Sequence, residues 1–328
     1  MVTLMDKLDE FIFSNELIML YKACDVDLCS VYHYTSPDGM LGILQPEGKA
    51  KLWFTRYDSL NDINERKEIV SFLKDYCSYQ VKNKKLSQEF SNAILQLTPS
   101  DEHLLTYPVV PVEVEGAVGK ATLRNSSRIA VCDTYLCCFS DSPDLLPMWN
   151  YYTKSQHYEG YSIGFNCPFL AGDAGYEKGY SLEFKRVIYS DYEKTALLNK
   201  LLLPSDEIYR TSSDEERSKL LSIIQDFLND YQFAFKNTAF QHEREIRAIL
   251  RIPKEPVPGG AQFEVKYRNS NGYIVPYVEF NALPNTIEKI TVAPLLQAEI
   301  SQKNIKEMLE RRGYYGVAVD ISTIPVRF

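Results

Sequence analysis

Residues 31–62, VYHYTSPDGMLGILQPEGKAKLWFTRYDSLND, decide the predicted fold. The β-branched and aromatic run Val31–Tyr34 is typical of a strand, and Leu52–Thr55 is typical of a second one. A serine, a proline and a glycine follow the first run and predict a short helix between the strands. His33 on the first strand and Thr55 and Arg56 on the second are therefore expected to border one small cleft.

The composition indicates a globular protein with a substantial core. Hydrophobic residues make up 45% and charged residues 24% of the 328 residues, which are values typical of folded domains. The net charge of −8 argues against nucleic-acid binding over the whole surface but permits a local basic channel. No C-x-x-C pair occurs and the four histidines are far apart in sequence, so we predict no metal site. The absence of a signal pattern and of a long apolar run predicts a cytoplasmic protein without a membrane partner.

The order of predicted elements indicates an α+β fold. Residues 129–140 form a long apolar run that predicts a buried central strand, and a long helix is expected to begin at Ser213. Strands outnumber helices in the second half of the chain, which favours a mixed, largely antiparallel central sheet with flanking helices. We predict one domain over residues 1–328, with residues 65–127 as a helical or loop insertion. No glycine-rich turn of the Rossmann type follows a strand.

An acidic strand is predicted from Glu243 to Ile252. Because side chains alternate across a strand, Glu243, Glu245 and Arg247 would project to one face and the apolar residues between them to the other. Two interpretations remain open for these charges. They form either an ion pair on a solvent-exposed face or part of a functional cleft.

Several short motifs resemble a bacterial family of unknown function over the chain from about residue 28 to the C-terminus. These motifs are Tyr32–Ser36 (YHYTS), Leu60–Asp62 (LND), Cys138–Ser140 (CFS) followed by Met148, Trp149 and Tyr152, and Glu243–Arg247 (EREIR). More distantly, the strands that carry His33, Thr55 and Glu245 resemble the three strands of the cleft of ADP-ribosyltransferases. This resemblance implies a split sheet and an ADP-ribosyltransferase or NAD glycohydrolase activity, in a toxin or a phage-defence effector.

The same resemblance implies roles for individual residues. NAD would be the substrate, and a protein or a nucleic acid could be the acceptor. Glu245 would stabilise the oxocarbenium-like state that forms as nicotinamide leaves, and Glu243 would position the acceptor. The residues implied to contact NAD are His33 at the adenosine ribose, Tyr34 or Tyr57 on nicotinamide, Arg56 or Arg247 at the pyrophosphate, Trp149 and Tyr152 in the cleft wall, and Thr35, Thr55 and Asn61 beside them.

Two alternatives to the transferase remain open. One is a nucleotide-sensing module that keeps the cleft without turnover. The other is a nuclease whose carboxylates surround a divalent metal ion; its candidate residues are Asn61, Asp62, Asp141, Asp144 and Glu245. The transferase interpretation makes the strictest geometric demand, because it requires His33 and Glu245 to line a common cleft.

Overall fold

The structure, a computed structural model, describes residues 11, 30–60, 65–97, 99, 103–108, 113–116, 119–122, 127–153, 159–167, 170, 179–255, 257, 260–270, 272–294 and 297–325. The strands are β1 Ser30–Thr35, β2 Ala50–Arg56, β3 His103–Pro108, β4 Glu113–Gly116, β5 Gly119–Thr122, β6 Ser127–Ser140, β7 Tyr161–Asn166, β8 Ser181–Arg186, β9 Glu245–Pro253, β10 Lys266–Ser270, β11 Tyr273–Ala282, β12 Ile287–Val292 and β13 Ala318–Ile321. The helices are α1 Pro37–Ile43, α2 Glu65–Lys82, α3 Gln88–Ile94, α4 Leu146–Tyr152, α5 Asp191–Thr211, α6 Asp214–Tyr231 and α7 Ala298–Arg311, with short 3-10 helices at Tyr57–Ser59 and Thr238–Glu243.

The chain divides into two compact units. A helical unit comprises residues 1–25, 61–101 and 185–241, and a sheet unit comprises residues 26–60, 102–184 and 242–328. The segment predicted as one insertion, 65–127, is thus shared between them, since its helices join α5 and α6 while β3–β5 belong to the sheet unit. The predicted α+β class is confirmed. No described helix is both long and apolar enough to cross a membrane.

The helical unit follows local sequence signals closely. Helix α6 starts at a capping box, in which the Ser213 side chain accepts from the N–H of Glu216 and the Glu216 carboxylate accepts from the N–H of Ser213. Leu220, Ile224 and Leu228 recur at helical spacing and are buried in the core of this unit. The predicted helix start at Ser213 is therefore correct to within one residue.

Strand β6 is the centre of the sheet unit. One edge of β6 pairs with β9 from Cys132 to Ser140. The other edge pairs in succession with β3, with β2 at Tyr135 and Leu136, and with β1 at Ser140. From β2 the sheet continues to β11 and β10, and from β1 it continues to β7, β12 and β13. These pairings are antiparallel except that of β12 with β13. Two branches of the sheet therefore diverge from one edge of β6.

The two faces of this sheet carry different cores. On the first face, Phe54, Phe139 and Ile246 belong to the large apolar cluster, which helix α7 joins through Ile305 and Leu309. On the second face, a smaller cluster forms around Tyr34, Met148, Trp149 and Ala293, with α4 supplying two of its members. Because neighbouring strand residues alternate between these faces, a shift of one residue decides which cluster a side chain joins.

Candidate functional site

A cavity of about 450 Å³ lies between β1 and β2, next to helix α1. Strand β1 contributes His33 and Thr35 to its wall, and β2 contributes Leu52 and Trp53. The volume falls within the usual range for small-molecule sites. A side chain at Gly39 would collide with the hydroxyl of Thr35, so a glycine there lets α1 lie close against β1. Divergence of the two strands and this close helix together shape the cavity.

His33 is fixed in orientation by the edge of β6. Its Nδ1 donates to the carbonyl of Cys138 over 3.0 Å, and its ring contacts Phe139 with centroids 5.6 Å apart. The bonded carbonyl lies between the positions where β2 and β1 pair with β6, so the imidazole takes the place of a strand partner. A carbonyl oxygen only accepts, which assigns the proton to Nδ1 and leaves Nε2 as an acceptor.

The charge state of His33 follows from its surroundings. Burial lowers the pKa of His33 below its ordinary value of 6.5, and the hydrogen bond to Cys138 opposes this only in part. The ring is therefore neutral at pH 7. Since Nδ1 is occupied, Nε2 is the nitrogen that remains to accept a hydrogen bond from a ligand in the cavity that His33 lines.

A second polar group of the cavity was not foreseen in the sequence. Arg268 on β10 donates from Nη2 to the Thr55 hydroxyl over 2.9 Å, and its guanidinium lies 5.7 Å from the centre of the Trp53 ring. Its Nε is buried without a hydrogen-bond partner among the described residues, and no ion pair of Arg268 with a described carboxylate is present. A lone arginine on an edge strand carries no local signal, so only the pairing of β10 with β11 and of β11 with β2 reveals it.

The two arginines implied for the pyrophosphate are already neutralised. Arg56 donates to Asp58 over 2.8 Å, and Arg247 is paired with Glu245. Neither guanidinium lines the cavity. Of the other residues implied to contact NAD, Thr35 and Tyr152 line the cavity. Thr55 does not line it but accepts a hydrogen bond from Arg268, which does.

Tyr34 and Trp149 form hydrogen bonds to the segment between β6 and α4. The Tyr34 hydroxyl donates to the carbonyl of Ser142 and accepts from the N–H of Leu145, both over 2.9 Å. Its ring meets Trp149 edge-on at 4.6 Å, and the fully buried indole donates to Asp144 over 2.8 Å. Burial raises the pKa of Tyr34. Although Tyr34 touches the cavity wall, its ring is committed to this cluster and is not available to stack on nicotinamide.

Two further residues do not contribute to this site. Tyr57 is buried in the 3-10 helix after β2 and is not part of the cavity wall. Asn61 lies outside the described residues.

Glu245 does not share a cleft with His33. Ser140 pairs with Tyr32 on one side and with Glu245 on the other, so these three side chains lie on one face and His33 lies on the opposite one. Glu245 is 4% exposed and Arg247 is 1% exposed. Their bonds, Nε to Oε1 at 2.9 Å and Nη2 to Oε2 at 3.1 Å, form a bidentate pair. The charges are therefore neither solvent-exposed nor part of the cavity.

Glu243 precedes the strand instead of belonging to it. Strand β9 begins at Glu245, and Arg244 between them has a φ of 49°, in the left-handed region. Glu243 ends a 3-10 helix, and its carbonyl accepts from the Ser140 hydroxyl over 2.9 Å. The strand alternation that grouped Glu243 with Glu245 therefore does not apply.

The carboxylates considered for a nuclease are held by separate protein groups. Asp141 pairs with Arg244 over 2.6 Å, and Asp144 accepts from the Trp149 indole and from the Ser322 hydroxyl. Glu245 is engaged by Arg247, and Asp62 lies outside the described residues. Among the described carboxylates of this set, each has its own protein partner.

Replacing Glu245 with Gln is expected to destabilise the fold. The substitution leaves the Arg247 cation buried without its counter-charge, and breaking a buried pair from one side costs about 3–5 kcal/mol. Urea denaturation should show a loss of this size in the free energy of unfolding. The control Glu47→Gln removes a carboxylate from an exposed pair with Lys49 and should leave stability nearly unchanged. Equal effects of the two substitutions would contradict the buried-pair assignment.

Comparison with known proteins identifies one family. Residues 148–248 match a family described as a protein of unknown function (DUF2971). The matched segment runs from α4 into β9 and contains Trp149, Tyr152 and Glu245, but it covers less than half of the chain and excludes residues 31–62. No curated protein and no solved structure matches the chain. Over that segment the chain is similar to a domain-of-unknown-function family.

Proposed function

We propose that the cavity between β1 and β2 binds NAD or a related nucleotide. The observation that carries this proposal is the neutral His33, whose Nδ1 is held by Cys138 and whose Nε2 remains as an acceptor at the cavity. A ribose hydroxyl is the natural donor to such a nitrogen. Without the bond to Cys138 the ring could turn either nitrogen toward a ligand, and the preference for a donor would be lost.

Aromatic side chains at the cavity suit a planar ligand. Trp53 is 48% exposed and Tyr152 is 39% exposed, and both line the cavity. Exposed aromatic faces stack on nucleobases or on nicotinamide, with each stacked base worth about 1–3 kcal/mol in single-strand binders. The Trp53 ring is also steadied by Tyr277, 4.7 Å away. These rings take the stacking role that the resemblance gave to Tyr34 or Tyr57.

A nucleotide-sensing module is the form of this function that the geometry supports best. Binding requires only the cavity, the His33 acceptor and the aromatic wall. The transferase mechanism additionally required the Glu245 carboxylate at the ligand, whereas this carboxylate is buried in its bidentate pair with Arg247 and does not line the cavity. Binding and turnover are therefore separate proposals with separate tests.

The substitution His33→Asn tests the binding proposal. An asparagine amide can still donate to the Cys138 carbonyl, because its Nδ2 occupies nearly the position of the histidine Nδ1, but it loses the acceptor at Nε2. We expect an unchanged melting temperature and an affinity for NAD lower by roughly tenfold, the value of one hydrogen bond of about 1 kcal/mol or slightly more. Calorimetric titration with NAD measures the affinity.

The companion substitution His33→Ala separates the two roles of the residue. It leaves the Cys138 carbonyl without its partner, so stability should fall together with affinity. The binding proposal would be wrong if the His33→Asn variant bound NAD as tightly as the wild-type chain. It would also be wrong if the wild-type chain did not bind NAD.

A pH dependence follows from the lowered pKa of His33. Protonation converts Nε2 from an acceptor to a donor, so affinity for NAD should be constant above pH 6.5 and should fall as the pH drops through the lowered pKa. The unfolded chain takes up this proton more readily than the folded chain. The free energy of unfolding should therefore also decrease as the pH falls below 6.5 through the lowered pKa of His33. Calorimetric titrations across this range check the first effect. If the affinity of the His33→Asn variant for NAD still falls at low pH, a group other than His33 is responsible.

NAD consumption is a second candidate function, favoured by Asp38. This exposed residue is the carboxylate among the described residues that line the cavity, and it shares that wall with His33. Departure of nicotinamide builds positive charge on the ribose, and a nearby anion stabilises that charge in the transition state. Asp38 would then take the role that the sequence motif suggested for Glu245.

Release of nicotinamide from NAD tests this second candidate. Asp38→Asn should lower the release rate by roughly a hundredfold while leaving the affinity for NAD almost unchanged, since the carboxylate acts mainly in the transition state. The exposed control Glu47→Gln should release nicotinamide at the wild-type rate. Binding of NAD without release by the wild-type chain would leave the sensing module as the function.

A further inference from the structure

Arg268 presents an uncompensated cation to the cavity. Its guanidinium is half-buried, its Nε has no acceptor, and the described residues offer it a hydroxyl and an indole face instead of a carboxylate. Burial lowers the pKa of Arg268, although a guanidinium remains charged at pH 7. Removing a charge from water without a partner is costly, so an anion that enters the cavity would restore the lost interactions.

The other charges around the cavity leave Arg268 as the available cation. Lys51 lines the same cavity, but its ammonium pairs with Glu279 at 3.3 Å, and Lys266 approaches the same carboxylate at 2.9 Å. The described lining thus contains two cationic side chains and one carboxylate, Asp38, within a chain of net charge −8. With Lys51 paired to Glu279, Arg268 is the cation of the described lining that would attract an anionic ligand.

We propose that Arg268 is the anchor for a phosphate or pyrophosphate group of the ligand. The guanidinium is a planar fork that binds two phosphate oxygens at once, and its contact with the Trp53 face holds the plane in a fixed orientation. The Thr55 hydroxyl accepts from one of the two N–H groups of Nη2, so the second N–H of Nη2 and those of Nη1 are the donors left for an incoming anion. This assignment deepens the proposed nucleotide function and moves the phosphate contact from Arg56 and Arg247 to a residue outside the recognised motifs.

The substitution Arg268→Met distinguishes an anion anchor from a structural arginine. The full-length chain is titrated with adenosine, ADP and inorganic pyrophosphate by calorimetry. Loss of a charge-assisted contact should weaken ADP and pyrophosphate by roughly tenfold to a hundredfold and leave adenosine unchanged. Because the ligand-free chain no longer buries an uncompensated charge, its melting temperature should stay equal or rise. The matched control Lys266→Met, on the same strand, should bind all three probes like the wild type.

Several results would overturn the assignment. The first is equal affinity of Arg268→Met and the wild type for ADP. The second is a drop in the melting temperature of Arg268→Met by several degrees with an unchanged affinity for ADP. The third is that the wild type binds neither ADP nor pyrophosphate. Binding of pyrophosphate that depends on Arg268, together with no binding of NAD, would support the anion anchor and remove the nucleotide proposal. Tight NAD binding that is unaffected by Arg268→Met would support the nucleotide proposal and remove the anion anchor.

Discussion

One carbonyl group on the edge of β6 governs the arrangement of the site. Strands β1 and β2 pair with this edge at Ser140 and at Tyr135 and Leu136, and the Cys138 carbonyl between these positions accepts from His33. A buried carbonyl without a donor would cost about as much as a lost hydrogen bond. By supplying the donor, the imidazole lets the sheet split without that cost. The same bond selects the tautomer that leaves an acceptor at the cavity.

Two arginines of the sheet unit illustrate opposite treatments of a buried charge. Arg247 is enclosed with Glu245 in a bidentate pair, which satisfies both groups and removes them from solvent. Arg268 is only half-buried and is held by a hydroxyl and an aromatic face, which orient the guanidinium without neutralising it. In the first arrangement neither charge can be removed singly without leaving the other buried and uncompensated. The second leaves the cation available to a ligand.

The cavity also shows why net charge is a poor guide to a binding site. The chain carries a net charge of −8, yet the described cavity wall has one more cation than carboxylate. Low-dielectric walls strengthen the field of the few charges that border a cleft, whereas charges on the distant surface are screened by salt. Because Lys51 is paired with Glu279, Arg268 is the cation of the described wall that an anionic ligand would meet.

The amino-acid sequence alone predicts the fold class and part of the secondary structure. The apolar run at 129–140 is strand β6, the helix at Ser213 begins where its cap predicts, and the α+β class holds, because hydrophobic period and capping are local properties. Tertiary structure alone decided which side chains meet. His33 bonds to a carbonyl 105 residues away in the sequence, two strand pairings bring Arg268 to the cavity, and Glu245 lies on the face opposite to His33. In a sheet one residue of register exchanges the faces, and that register is set by long-range pairing, which no local pattern encodes.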